Sequence, residues 1–278
     1  MSQQGILITK ANGKMEPFDY RKLENSLKRS GASSPLAQKI STKVEREIHE
    51  GASTGLIYQR AHRLLNETER PSAARYSLRR ALLGMGPTGF PFEKFVAQIF
   101  KTKGFNVLND QMVKGNCAEH EVDVVAWNKE KLLMAELKFH NQIGEKSDLK
   151  VALYVKARFD DLLDQYFDYG RRRLLDEGWL ITNTKFSKNA INYGMCAKLA
   201  MIGWSYPATG NLQELIESAR LHPITCLTTL SMTEKQNLLT NGVVLCQEVK
   251  ADAGPLKFVG LNDEKVKIVR DEAALLCE

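Results

Sequence analysis

The sequence predicts a mixed α/β protein: a small α-rich unit, then a mixed sheet covered by helices, then a short helical unit. Three observations carry this. Apolar residues recur at helical spacing through most of the first unit, behind a short hairpin. The stretch "GMGPTG" at 84–89 packs three glycines and a proline into six residues, which no helix continues. Beyond it, short apolar runs alternate with helical patterns, as in a sheet with helices on its faces. From Pro223 onward the pattern is helical again, so the expected units are 1–88, 89–222 and 223–278.

The first unit begins with "ILITK" and "KMEPF" flanking "ANG", a hairpin with Gly13 in its turn. Asp19 suits the cap of a helix that presents Leu23 and Leu27 and ends near Gly31. A second helix follows, with Ser34 as cap and Pro35 as its first residue. Its Leu36, Ile40, Val44 and Ile48 repeat every four positions, and Gly51 stops it. Thr54 is read as the cap of a third helix carrying Ile57, Ala61 and Leu64, and "SAARYSLRRALLG" forms a fourth.

After the break, "PFEKFVAQIFKTKG" is a helix with Phe92, Phe95, Val96, Ile99 and Phe100 inward. "FNVLNDQMV" is a strand. Next, "HEVDVVAWNKEKLLMAELKFH" reads as two strands joined by the turn "NKEK". The stretch 147–175 reads as helix in two pieces. "WLITNT" and "AMIGW" are strands, "SKNAINYGMCAKL" and "LQELIESAR" helices, and Trp179 and Trp204 core residues. In the last unit "SMTE" is a capping box of Ser231 and Glu234. Asn241-Gly242 ends that helix, and Asn262 starts the final one.

Bulk properties exclude several classes. With 43% apolar and 26% charged residues the composition is that of a globular chain. No apolar run approaches the roughly 18 residues of a membrane span, so no membrane association is expected. "MSQQGILITK" lacks a basic segment followed by an apolar one, so no secretory leader is expected. Cys117, Cys196, Cys226, Cys246 and Cys277 form no C-x-x-C pair, which suits free thiols in a reducing cytoplasm. The net charge of +6 is concentrated in residues 1–88, with 15 basic and 8 acidic side chains. That excess points to an anionic partner, nucleic acid or nucleotide phosphate.

The hairpin at 120–140 raises the chemical question. Alternation puts Glu136 and Lys138 on one face of their strand, and Asp123 lies in the paired strand. Two carboxylates and an ammonium in an apolar hairpin are costly unless paired or bound to metal. A hard divalent cation relieves the repulsion between the acids and takes the rest of its ligands from water and substrate phosphate. With a lysine to orient water, those parts suit metal-assisted phosphodiester hydrolysis. The bland alternative is an exposed Glu–Lys pair at a hairpin edge.

The order of helix, strand, Asp strand, E-x-K strand and helix over roughly 90–205 resembles the PD-(D/E)XK nuclease superfamily, in its Mrr-type restriction endonuclease branch. The resemblance implies that Asp123 and Glu136 ligate Mg²⁺ or Mn²⁺ and that the Leu137 carbonyl adds a ligand. It further implies that Lys138 positions the attacking water and that Glu93, on the preceding helix, completes the site. Val122 stands where the superfamily name has proline. His120, Glu121 and His140 flank the site, each read either as a contact to DNA or a second metal or as an ordinary surface residue, and "RRR" at 171–173 is read either as a phosphate contact or as a solvated helix face.

"ILITKANGKMEPFDYRKLENSLKRS" and the helical pattern after it resemble the ATP-cone domain over about 6–85. That resemblance implies an adenine nucleotide, ATP or dATP, facing Ile8, Lys10, Glu16, Lys22 and Thr54. Ala11 and Tyr58 depart from the residues usual at their positions. "LLTNGVVL" loosely resembles a helix-hairpin-helix turn, with one glycine where two are usual. Together the resemblances imply a homo-oligomeric Mg²⁺-dependent endonuclease of double-stranded DNA. It would leave a 5′-phosphate and a 3′-hydroxyl and carry a nucleotide-sensing domain. The alternative is a nucleotide-responsive DNA-binding regulator with a catalytically silent nuclease fold.

Overall fold

The computed structural model describes residues 6–10, 13–142 and 144–277. Residues 1–5, and Ala11 and Asn12 of the expected hairpin turn, lie outside the described residues. The chain opens with the antiparallel pair β1 (Leu7–Thr9) and β2 (Met15–Pro17). Four helices follow: α1 (Tyr20–Arg29), α2 (Ser34–Glu47), α3 (Thr54–Thr68) and α4 (Arg70–Leu83). Asp19 caps α1 as expected, its Oδ1 accepting from Lys22 N at 3.1 Å. The caps of α2 and α3 fall one residue earlier than the sequence suggests. Ser33 and Ser53, at ψ 150° and 148°, accept from Leu36 N and Leu56 N, which makes Ser34 and Thr54 the first helical residues. A core of Leu27, Ile40, Val44, Ala61 and Leu65 binds the hairpin and helices together.

The central element is a five-stranded mixed sheet in the order β11-β9-β5-β4-β3. Its strands are β3 (Asn106–Lys114), β4 (Glu119–Trp127), β5 (Leu132–Lys138), β9 (Glu177–Thr182) and β11 (Ala200–Ile202). The first three are antiparallel neighbours; β5, β9 and β11 run parallel. Helix α5 (Phe90–Thr102) leads into β3. Lys146–Ser147 forms β6, which pairs with β10 (Lys185–Phe186), and α6 (Leu149–Leu162) and α7 (Lys188–Cys196) cover one face. Alternation sorts β5 cleanly. Leu133, Ala135 and Leu137 join the core with α5, whereas Leu132 and Met134 join the core with α6.

The stretch after α6 is not a second helical piece. Tyr166–Tyr169 (β7) and Arg171–Leu174 (β8) form an antiparallel hairpin. Gly170 turns it at φ +69°, and a Cβ there would meet the Trp127 ring at 3.0 Å. Positive φ and close approach favour glycine over the helical alternative. Arg173, read from sequence as a phosphate contact or solvated helix face, is buried and donates to the carbonyls of Asn128 and Lys129. It holds the β4–β5 turn.

Helix α8 (Leu212–Ala219), a 3-10 turn at Ile224–Cys226, α9 (Met232–Thr240), α10 (Cys246–Ala251), α11 (Gly254–Phe258) and α12 (Asp263–Leu276) complete the chain. Ser231 and Glu234 form the expected capping box, with bonds of 3.3 and 2.7 Å. The largest core ignores the break at 84–89. It joins Leu78 and Leu82 of α4 and Phe92 and Phe95 of α5 to Leu238, Val269 and Leu276. Thr225 Oγ1 donates to the Ala81 carbonyl, and Gln236 Nε2 to that of Gly84. No helix among the described residues is long and apolar enough to cross a membrane, and all five cysteines are free.

Candidate functional site

The hairpin charges meet at one end of β4 and β5. Continuing the pairs Val124↔Ala135 and Val125↔Met134 sets Asp123 opposite Glu136. Asp123 Oδ2 accepts from the amide of Leu137 at 2.6 Å. Glu136, only 4% exposed, is held on both oxygens: Lys138 Nζ is 2.8 Å from Oε1, and Arg158 Nη1 binds Oε2. Arg158 comes from α6, where the Asp148 cap sets the helix phase. It also donates to the Glu121 carbonyl at 2.7 Å and to the Tyr154 hydroxyl at 2.5 Å.

Glu93 arrives from the other side, in the first turn of α5. A Cβ on Gly89 would lie 3.0 Å from Glu93 Oε1 and 3.8 Å from Phe139 Cβ. The missing side chain therefore lets this carboxylate fold back toward the end of β5. Phe92 and Phe139, with ring centroids 5.7 Å apart, fix the helix there. Glu93 hydrogen-bonds Asp110 of β3. Burial first, and then the charges of Asp123 and Asp110, push its carboxyl up to about 8. Burial and the charge of Glu136 push Asp123 up to about 6, against the lowering effect of the Leu137 amide. Four acids thus crowd one strand end, faced by Lys138 and Arg158.

The structure brings together Glu93, Asp123, Glu136 and Lys138, all four predicted catalytic positions. Of the predicted metal ligands, Leu137 contributes its amide to Asp123, and both Glu136 oxygens engage cationic side chains. Among the described residues, no three His, Cys, Asp or Glu side chains converge closely enough to hold a metal ion. Sequence reasoning missed Arg158 and Asp110. The first had a signal, Tyr154-x-x-x-Arg158 on the helix after the E-x-K strand. The second had one too, an acid interrupting the apolar alternation of "FNVLNDQMV".

The flanking histidines have structural partners. His120 Nε2 is 2.7 Å from Asp161, whose carboxylate also accepts from the amides of Cys117 and Ala118. The Asp161 hydrogen bond and charge push the Cys117 thiol up, and the carboxylate orders the turn before β4. His140 is fixed by reciprocal bonds with Asn183 and by Ser147 Oγ at 3.1 Å.

The residues predicted to face a nucleotide divide. Thr9 pairs with Ser53, which brings Lys10 beside the start of α3. Lys10 and Thr54 both line a cavity of about 520 Å³. Ile8 is buried in the hairpin core, Glu16 pairs with Lys10 at 2.5 Å, and Lys22 points to solvent beside Asp19. None of these three lines the cavity.

Residues 222–277 match the family described as AF1548-like, C-terminal. An uncharacterized protein of Archaeoglobus fulgidus is 36% identical over 179 residues, which is 64% of this chain and 97% of that protein. A solved structure described as a protein of unknown function, AF1548, superposes with a TM-score of 0.55 at 34% identity. That likeness covers 68% of this chain and 98% of the other. The identity, taken over nearly the whole length of the relative, places the chain: it belongs to the AF1548-like family.

Proposed function

We propose that the protein is a metal-dependent DNA endonuclease of the PD-(D/E)XK type, with a nucleotide-sensing N-terminal domain of ATP-cone type. The observation that carries this reading is the meeting of Glu93, Asp123, Glu136 and Lys138 at one strand end, with two of the carboxyls pushed toward their protonated forms. Excess acid in a half-buried place calls for a cation. The donors are hard oxygens of the kind Mg²⁺ or Mn²⁺ takes; Asp123 and Glu136 would hold the ion, with the Leu137 carbonyl as the further ligand that the resemblance implies. Such an ion supplies charge stabilisation at the scissile phosphate and a more acidic water. Lys138 would orient a water there, and Arg158 would offer a guanidinium fork to phosphate on leaving Glu136. The basic excess of residues 1–88 suits ATP or dATP as an effector and DNA as the substrate.

The test is incubation of supercoiled plasmid with the protein and Mg²⁺ or Mn²⁺, with and without ATP and dATP. Nicking that needs the metal and disappears in a Glu136→Ala, Lys138→Ala double variant supports the reading. No cleavage of plain, methylated or branched DNA sinks it. The second reading, a DNA-binding regulator with a silent nuclease fold, is favoured by one observation: Lys138 and Arg158 already neutralise both Glu136 oxygens. Metal-independent DNA binding without cleavage supports it.

A further inference from the structure

The 520 Å³ cavity lies where α1, α3 and α4 meet the sheet unit. Its volume is that of a pocket for one small molecule. Five cations line it, Lys10, Arg29, Arg75, Arg79 and Arg80, against a single carboxylate, Glu217. Glu217 accepts from Gln213 at 2.8 Å, and Glu16 takes Lys10. No ion pair reaches the four arginines among the described residues. Arg75 spends its Nε on the Ser30 carbonyl, and Arg80 lies 3.7 Å over the Tyr58 ring. Arg79 Nε is buried with no partner. Gathering like charges in a partly desolvated space is unfavourable unless an anion completes it.

The sheet unit supplies part of the wall. Trp204, Gln213 and Glu217 line the cavity from beyond β11. Trp204 N donates to the Thr184 carbonyl, which ties that wall to the segment between β9 and β10.

We propose that this junction binds a polyphosphate anion, the phosphate chain of a nucleotide or an inorganic one, gripped by Arg79 and the arginines that line the cavity with it. Guanidinium forks match the several oxygens of such a chain. The inference rests on and deepens the nucleotide half of the proposed function and moves the grip from Lys22 to the arginines.

The test is calorimetric titration of the full-length protein with inorganic tripolyphosphate and, separately, ATP. Arg79→Gln and Arg29→Gln each weaken binding by about tenfold, the loss of one charge-assisted contact, and Lys22→Gln leaves it unchanged. Arg79→Lys retains part of the affinity and guards against a folding defect in the glutamine variant, which a thermal melt also reports. Tighter binding of ATP than of tripolyphosphate assigns the ligand to nucleotides; equal binding assigns it to the phosphate chain alone. Arg79→Gln and Arg29→Gln that both bind like the parent overturn the arginine grip. ATP binding lost only in Lys22→Gln would overturn it while leaving a nucleotide-sensing domain in place. Failure to bind either probe overturns both, and leaves the plasmid test of the hairpin site untouched.

Discussion

Asp110 and Asp123 stand opposite each other where the β3–β4 ladder is interrupted. Their neighbours pair as Asn109↔Val124 and Gln111↔Val122, and Asp110 turns through φ +54°. The inside-outside alternation reverses at this point. Val122 packs in the core under α6, whereas Val124 packs in the core under α5. A positive φ at a non-glycine residue is strained, and Asp is among the few types that tolerate it. The interruption turns the two acids out of the pleat, where Asp110 reaches Glu93 and Asp123 reaches the Leu137 amide.

The crowding of acids makes stability depend on pH. Glu93 ordinarily titrates at 4.5 and is pushed up to about 8, so between those values the folded state holds a proton that the unfolded chain has lost. Stability then falls as pH rises through this window. Below 6.5 a second group opposes it. Burial pushes His222 down to about 4, so its contribution falls as pH drops from 6.5. The clear interval for Glu93 runs from about 6.5 to about 8. Across it the melting temperature of the parent should fall, by a few degrees, while Glu93→Gln stays flatter. Parallel curves for the two proteins would show that the proton is held elsewhere.

Arg158 occupies the Glu136 oxygen that a ligating cation would use. Removing the guanidinium in Arg158→Gln should therefore tighten Mn²⁺ binding several-fold, read by calorimetry without DNA. The same variant should bind DNA more weakly, since a phosphate contact is lost. Unchanged Mn²⁺ affinity would mean that arginine and metal do not compete.

Glu272 lies on α12 and is buried, at 7% exposure. Its two oxygens accept from the amides and hydroxyls of both Thr228 and Thr229, at 2.6–3.0 Å. Replacing it with Gln puts an NH2 where two donors already point, which should cost about 2 kcal/mol. Denaturant unfolding measures this, with a lowered midpoint and an unchanged slope. A stability within a few tenths of a kcal/mol of the parent would assign the four bonds to water-competitive contacts of little net value.

The legible parts of the sequence were those set by local rules. Asp19, Ser231 and Asn262 were readable as caps because capping is a contact within three residues. Glu136 and Lys138 were readable as one face because alternation holds along β5, whereas Asp123 was readable only as an acid in the paired strand, since alternation reverses there. The β7–β8 hairpin was misread as helix because Tyr166–Leu174 has no strong turn pair, and its fold depends on Gly170 meeting Trp127, far away in the chain. Arg158 was missed for the same reason: only the packing of α6 against β5 brings it to Glu136. The arginine cavity lies between units, where no periodicity within one segment can announce it.

Helix α4 has a mechanical consequence. One side of it, through Ala73 and Tyr76, belongs to the core of the first unit, and the other, through Leu78 and Leu82, to the core shared with the last. It works as a rivet through two plates. The glycines just behind it look like a joint, yet bending there would first have to pull the rivet. A push on the arginine side of α4 therefore meets the C-terminal helices through the packing of Leu78 and Leu82, without passing through the glycines.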